Sequence, residues 1–388
     1  MAPDTRTTNA VTTDTVTTDT ATTDRNEDNM TITTGLEFRP LTIPASVTSD
    51  DAADFRDMVD ARNQIYREIT GNDDDYMSAA ELLPHYQPDE HEIRLSWIIV
   101  RDGRVIGRVG VDIPLEEGSR VSFALVELVQ EHWSQGIGSR AHELVEKASR
   151  EHGRTIIQSW AEHPAAPGDR LAAPTGFGSI PRDHAARFYL AHGYSLEQVE
   201  RKSAFDLRGS FTDVERLLHE AEAASGDYRV VQWTAPTAAE FVDGYAWMKS
   251  RMSTDVPAAA MEFDEETWDA ARLARHEARY LDVGRTLQIT AAQHKGTGEL
   301  CAFNELVLGT DPTGPSHQED TLVLKGHRGH RLGMLVKCAG LLAWRDVAPQ
   351  SPRVITYNAE ENRPMLDINE AIGFAPVSYS GAWKKSLA

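Results

Sequence analysis

One local arrangement occurs twice in this chain: a strand-like run leads into a glycine-containing turn, and an amphipathic helix begins at once. In the first copy Val121 to Val129 precede Glu131-His132-Trp133-Ser134-Gln135-Gly136-Ile137-Gly138, and Ala141, Leu144, Val145 and Ala148 then fall at i, i+3, i+4 and i+7. In the second, Thr321 to Leu324 precede Gly326-His327-Arg328-Gly329-His330-Arg331-Leu332-Gly333, with Leu335, Cys338, Ala339 and Leu342 on one helical face. Gly138 and Gly333 lie 195 residues apart in a chain of 388. That length is about twice what one hydrophobic core organises, so the pattern predicts a duplicated domain.

The flanking elements run in parallel. Before the first turn come a strand at Leu36 to Ile43, a helix from Asp51 to Ile69, and a hairpin of Ile93 to Val100 and Arg104 to Ile113 turned at Asp102-Gly103. After it come a strand at Arg154 to Trp160, a Pro/Gly-rich loop, a helix from Asp183 to His192 ending at Gly193-Tyr194, and strand-like residues to Leu207. The programme restarts at Tyr228 with a hairpin of Leu287 to Gln293 and Glu299 to Leu308, a strand at Val354 to Asn358, and a helix from Met365 to Ile372 ending at Gly373-Phe374. The expected domains are therefore 36–208 and 228–388, joined by a helical connector at 209–227. Residues 1–33 repeat Thr and Asp with hardly a large apolar side chain, cannot offset the entropy cost of ordering, and read as a disordered tail with Met30 as an alternative start.

Composition narrows the partners. The formal charge is −21, only −4 of it in the tail, so the folded part repels phosphate backbones and acidic lipids and draws in cationic amines. Nucleic acid and membrane are not expected partners, no apolar run approaches the roughly 20 residues of a bilayer span, and no oligomer is specified. With Cys301 and Cys338 as the only cysteines and no export signal, a disulfide framework is unsupported and the cytoplasm is the expected compartment.

A turn that opens a helix leaves several backbone N–H groups unpaired, with the helix dipole behind them, and so makes a site for phosphate. Gly136-Ile137-Gly138-Ser139-Arg140-Ala141 also fits the loose dinucleotide pattern, but antiparallel strands precede it and the next strand ends in Gln158-Ser159-Trp160 without the required acid. Neither a P-loop nor a G-x-S-x-G elbow occurs. Glu146 stands where a zinc-protease helix beginning at His142 needs its second His, and His327, His330 and Cys338 are ill spaced, so no metal site is expected.

The order of elements resembles the GCN5-related N-acetyltransferase (GNAT) family, here in tandem. That family carries R/Q-x-x-G-x-G/A after its fourth strand; this chain presents Trp133-Ser134-Gln135-Gly136-Ile137-Gly138 and Arg328-Gly329-His330-Arg331-Leu332-Gly333, departing at Trp133 and at Arg331. The resemblance implies an α/β fold of two tandem domains, each a mixed, mostly antiparallel sheet flanked by helices. It further implies that acetyl-CoA is gripped by Gln135, Gly136, Ile137, Gly138, Ser139 and Arg140, with a backbone N–H near Val129 polarising the thioester carbonyl. In the second half Leu324, Arg328, Gly329, His330, Arg331, Leu332, Gly333, Met334 and Asn358 take the corresponding places. The family's A-x-x-x-Y-x-x-x-G-F helix matches Ala185 to Tyr194, which puts Tyr189 in the role of proton donor to the departing thiolate; Asn369 replaces it in the second copy.

On the residues alone Tyr189 is half-buried packing beside Phe188. An ammonium has no lone pair until it loses a proton, so a carboxylate is needed as well, and Glu127 on the strand before the first turn is the candidate, with Glu305, Glu319 and Asp320 in the second half. The expected activity is N-acetylation of a small cationic amine by direct attack, centred on the first half. The alternative is a catalytically degenerate protein that binds or senses acyl-CoA.

Overall fold

The structure, a computed structural model, describes residues 35–164, 166–255 and 257–387; the Thr/Asp-rich segment and Met30 lie outside the described residues. The first half runs β1 (Leu36–Pro40), α1 (Ala53–Thr70), α2 (Ala79–Leu82), β2 (Glu92–Arg101), β3 (Arg104–Pro114), β4 (Val121–Leu128), α3 (Ile137–Glu151) and β5 (Ile156–His163). A small hairpin, β6 (Arg170–Ala172) and β7 (Ser179–Pro181), then leads to α4 (His184–Ala191) and β8 (Ser195–Asp206). The linking helix α5 (Thr212–Ala224) precedes β9 (Tyr228–Thr234), α6 (Ala239–Asp255), α7 (Ala270–Leu281), β10 (Thr286–His294), β11 (Leu300–Leu308) and β12 (Ser316–Val323). The chain continues through α8 (Leu332–Val347), β13 (Arg353–Ala359), α9 (Arg363–Ile372) and β14 (Ala375–Ser386).

Twelve strands form one sheet in the order β1-β2-β3-β4-β5-β14-β8-β13-β12-β11-β10-β9. Within it only β4–β5 and β12–β13 pair in parallel, so each half is mixed and mostly antiparallel, the fold class expected from the sequence. The hairpin turn behaves as read: Asp102 and Gly103 take φ of 51° and 80°, the left-handed pair a two-residue connection needs.

Strand exchange joins the halves. β14, which follows the last helix of the second half, lies between β5 and β8 of the first, while β8 pairs with β13 of the second. Apolar side chains cover both faces. Behind the first half, α3 and α4 bury Ile137, Val145 and Tyr189 together with Trp383 of β14, and α1 buries Phe55 and Met58 on the opposite face. The second half repeats this with Leu335 and Trp344 of α8 on one side and Tyr245 of α6 with Phe303 on the other. Trp344 and Trp383 are fully buried, and removing such a side chain from water contributes about 1.5–3 kcal/mol. Three elements go beyond the sequence reading: β12 begins five residues before Thr321, in the all-polar run Ser316 to Asp320, and α6 and α7 occupy a stretch that reading left unassigned. No helix among the described residues is long and apolar enough to cross a membrane.

Candidate active site

β4 and β5 are hydrogen-bonded only where Val121 to Phe123 face Ile156 to Gln158; beyond that register they part. N–H groups alternate sides along a strand, and the Val129 N–H donates to Ile106 O at 3.0 Å, on the β3 side. The Val129 N–H is thus bonded within the sheet, and the amides turned toward the opening are those of its near neighbours Val126 and Leu128. A slot of about 370 Å³ follows, lined among others by Tyr66, Glu127, Gly136, Trp160, Glu162 and Tyr189.

The turn contributes Gly136, Gly138 and Ser139 to the lining of this slot. Gly136 caps α3 at φ 76°, and the N–H groups of Ile137, Gly138 and Ser139, in the first turn of the helix, have no carbonyl four residues back to bond. A Cβ on Gly138 would meet the Phe188 ring at 3.1 Å, so glycine is required there for close packing. Ser139 Oγ lies 3.0 Å from His192 Nε2, and Gln135 donates to Glu131 O at 2.9 Å. Arg140 turns away, its guanidinium 5.3 Å above the Phe38 ring. Trp133, the first departure from the family pattern, donates its indole N–H to Leu128 O at 2.8 Å and stacks on His184 at 4.4 Å. Arg328, its counterpart, donates Nε–H to Val323 O at 3.2 Å. Both side chains thus fasten the turn to the carbonyl five residues earlier, and the exchange of Arg for Trp keeps that bond.

Tyr189 also lines the slot. Its hydroxyl is 2.6 Å from Ser159 Oγ, its ring stacks on Trp383 at 5.0 Å and 12°, and burial pushes its pKa up to about 12, so it holds its proton at neutral pH. Asp183 caps the helix that carries it, accepting from Ala186 N at 3.0 Å and pairing with the fully buried His163 at 2.9 Å. Glu127 accepts from Arg108 Nε at 2.6 Å and from the Tyr66 hydroxyl at 3.2 Å. Burial alone would raise its carboxyl; the Arg108 guanidinium outweighs this and holds it below the usual range. A second acid, Glu162, was missed in the sequence. It lies on the same face of β5 as Trp160, accepts from Ser378 Oγ at 2.9 Å, and burial pushes it above the usual carboxylate range despite Lys202 nearby. Strand alternation from Trp160 was the signal that could have found it.

In the second half, among the described residues, side chains bridge the corresponding gap. β12 and β13 also pair over only two residues, but Gln318 bridges to Thr356 Oγ1 at 3.0 Å. Lys337, fully buried and pushed down to about 7 by that burial, donates to Asn369 Oδ1 at 2.9 Å, and Asn369 donates to Asn358 at 2.6 Å. Asn358 and the residue at the Tyr189 position are therefore spent on closing the gap. Arg331 caps α8 at φ 56° and pairs with Glu220 at 3.1 Å; Arg328 also reaches Asp255 O, and Gly329 takes φ 90° beside it. Leu332 and Met334 are buried, a Cβ on Gly333 would meet Ile368 at 3.0 Å, and the Leu324 N–H is bonded to Cys301 O at 3.0 Å. His330 packs against Tyr228 at 5.5 Å. Of the other acids, Glu305 is buried and paired with Lys249 at 3.0 Å, Asp320 pairs with the same ammonium at 2.5 Å, and Glu319 is exposed. Beside this turn Glu299, Cys301 and His327 bring their ligand atoms within 4.8 Å of one another, a grouping that spacing did not predict; burial, then Glu299, push the Cys301 thiol up to about 11, where it stays protonated.

Residues 56–177 match the family described as acetyltransferase (GNAT) family. The fold is similar to that of a tandem GNAT protein from the clavulanic acid biosynthesis pathway, with a TM-score of 0.68 and 22% identity over 90% of this chain and 98% of that one. It is also similar to a GCN5-related N-acetyltransferase from Sphaerobacter thermophilus, with a TM-score of 0.57 and 15% identity over 90% and 95%. No curated protein sequence matches the chain.

Proposed function

We propose that this chain, a tandem two-domain protein of the GCN5-related N-acetyltransferase family, moves an acetyl group from acetyl-CoA to the amine of a small molecule by direct attack in the slot of its first half. The observation that carries the reading is the slot itself, which is lined by Gly136, Gly138 and Ser139 of the α3 turn, by Tyr189 and by two carboxylates. Acetyl-CoA supplies the acyl group and a thiolate leaving group. The residues present fit it: the amides of Ile137, Gly138 and Ser139 converge where a pyrophosphate would sit, and glycine keeps the backbone approachable there.

The remaining work falls to this chain's own groups. The N–H groups of Val126 and Leu128 face the slot and can stabilise negative charge on a carbonyl oxygen, as an oxyanion hole does. Tyr189 keeps a proton at Oη to release to a thiolate. Glu127 remains ionised beside Arg108 and attracts a cationic acceptor, whereas Glu162, with its raised pKa, is the better proton acceptor from the ammonium. The second half, its gap bridged by side chains, serves as scaffold. Calorimetry is expected to find one acetyl-CoA per chain, and thiol release with a panel of cationic amines to find turnover. Binding without turnover would favour the sensing alternative, and no binding would end both readings.

The carboxylates can be told apart. Because the folded pKa of Glu162 is raised, kcat/KM is expected to rise with pH through a limb above the usual carboxylate range as Glu162 loses its proton. Glu162→Gln should remove that limb and lower kcat by about 10²-fold or more, while Glu127→Gln mainly raises KM for the amine. An unchanged acid limb in Glu162→Gln would return the proton to Glu127 or to water.

A further inference from the structure

The halves meet at two trenches that the duplication makes counterparts, and their ion pairing differs. The trench of about 520 Å³ lies between α6, α7 and the β3–β4 connection. Each of its cations has a carboxylate partner: Lys249 pairs with Asp320 at 2.5 Å, Arg272 with Glu266 at 3.1 Å, Arg275 with Glu90 and Arg279 with Asp89. The trench of about 1020 Å³ lies between the α1–α2 segment and the β11–β12 connection. There Arg67 pairs with Asp73 at 2.6 Å and Arg353 with Asp74, but Arg285 has neither a carboxylate nor a side-chain hydrogen-bond partner among the described residues. Its guanidinium rests 4.8 Å over the Tyr280 ring, and its Nε is buried.

Two imidazoles share this trench with it, His85 from the first half and His317 from the second. His85 Nε2 is likewise buried and without a partner. Burial, reinforced by the Arg285 charge, pushes His85 down to about 4; burial does the same to His317, with Arg285 again adding to it and Asp75 opposing. Both rings are therefore neutral at pH 7 and can each offer one N–H without neutralising an anion's partner. Arg285 therefore brings to the trench a guanidinium with no ion pair and a buried, unpartnered Nε, beside the unpartnered His85 Nε2 and the neutral ring of His317; Glu319, in the same lining, is the carboxylate whose charge acts on it. The walls of trench and slot touch: Arg62, which lines the trench, lies 4.2 Å over the ring of Tyr66, which lines the slot and bonds Glu127.

We propose that Arg285, His85 and His317 hold the carboxylate of the acceptor, so that the molecule acetylated carries an acid group as well as its amine. This rests on the transferase reading above and refines its substrate class: the ammonium end reaches Glu127 and Glu162 in the slot, and the carboxylate end is read by a guanidinium from the other half, whose planar donor fork matches a carboxylate. A diamine without the acid lacks the second anchor.

The test uses L-ornithine and putrescine, which differ by that carboxylate, together with glutarate as an acid without the amine. Titrations of the full chain are followed by the imidazole NMR signals of His85 and His317, assigned with His85→Ala and His317→Ala. L-ornithine and glutarate are expected to shift both signals saturably, putrescine is not, and Arg285→Gln should weaken the response at least tenfold. Acetyl-CoA calorimetry on the same samples reports separately on the fold and on the transferase reading. Intact acetyl-CoA binding with no saturable response to either acid, or a response that survives Arg285→Gln, overturns the subsite alone. Loss of acetyl-CoA binding by the unmodified chain, with the acid response retained, overturns the transferase reading and leaves the anion site standing.

Discussion

Tyr189→Phe is expected to lower kcat by about 10²–10⁴-fold while leaving acetyl-CoA affinity unchanged, the range that loss of a positioned general acid produces. The substitution removes one oxygen. The ring keeps its stack on Trp383 and its edge contact with Tyr194, so the walls of the slot stay in place. What disappears is the proton at Oη and the 2.6 Å bond to Ser159. Because burial pushes the phenol up to about 12, it keeps its proton at neutral pH, and the loss in rate should be constant there. Stopped-flow detection of free thiol, with calorimetry for affinity, separates the outcomes. Full activity in Tyr189→Phe would take the residue out of the chemistry and leave protonation of the thiolate to solvent.

Trp383→Ala is expected to cost about 3–5 kcal/mol of stability and to lower first-half activity with it. The residue lies on β14, after the last helix of the second half, yet its side chain is fully buried in the first-half core between Tyr189 and His163. Truncation leaves a cavity directly behind the phenol. Since β8 and β14 each pair with strands of both halves, unfolding by urea should remain one cooperative transition in the variant, shifted to lower concentration. Two separated transitions would mean that the halves fold independently despite their common strands. Trp383→Phe, which keeps an aromatic face, should recover most of the stability, and its residual activity measures how far the stack orients Tyr189.

Local structure was legible in the sequence wherever it depends on neighbours along the chain. The α3 turn, the helix carrying Tyr189 and the Asp102-Gly103 hairpin are each set by a few consecutive residues, and each stands where the pattern put it. What depends on register across strands was not legible. Glu162 enters the slot because β5 leaves β4 after Gln158, and the Val129 amide is lost to it because β3 takes that hydrogen bond. The closing of the second gap by Lys337, Asn369 and Asn358 needs three elements brought together from separate stretches. Nor does any local feature announce that β14 belongs beside β5: Ala375 to Ser386 would satisfy a sheet of either half, and only long-range pairing decides.

That pairing has a consequence for how the protein is made. The first half's own last strand ends at Asp206, but the strand that fills its sheet ends at Ser386, 180 residues later. At about 5–20 residues per second the ribosome needs roughly 10–40 s to deliver it. Throughout that interval β5 and β8 carry open edges on the nascent chain, the condition in which strands from neighbouring polysomes find each other, so yield in the cell should respond to translation speed between these two points more than to speed before them.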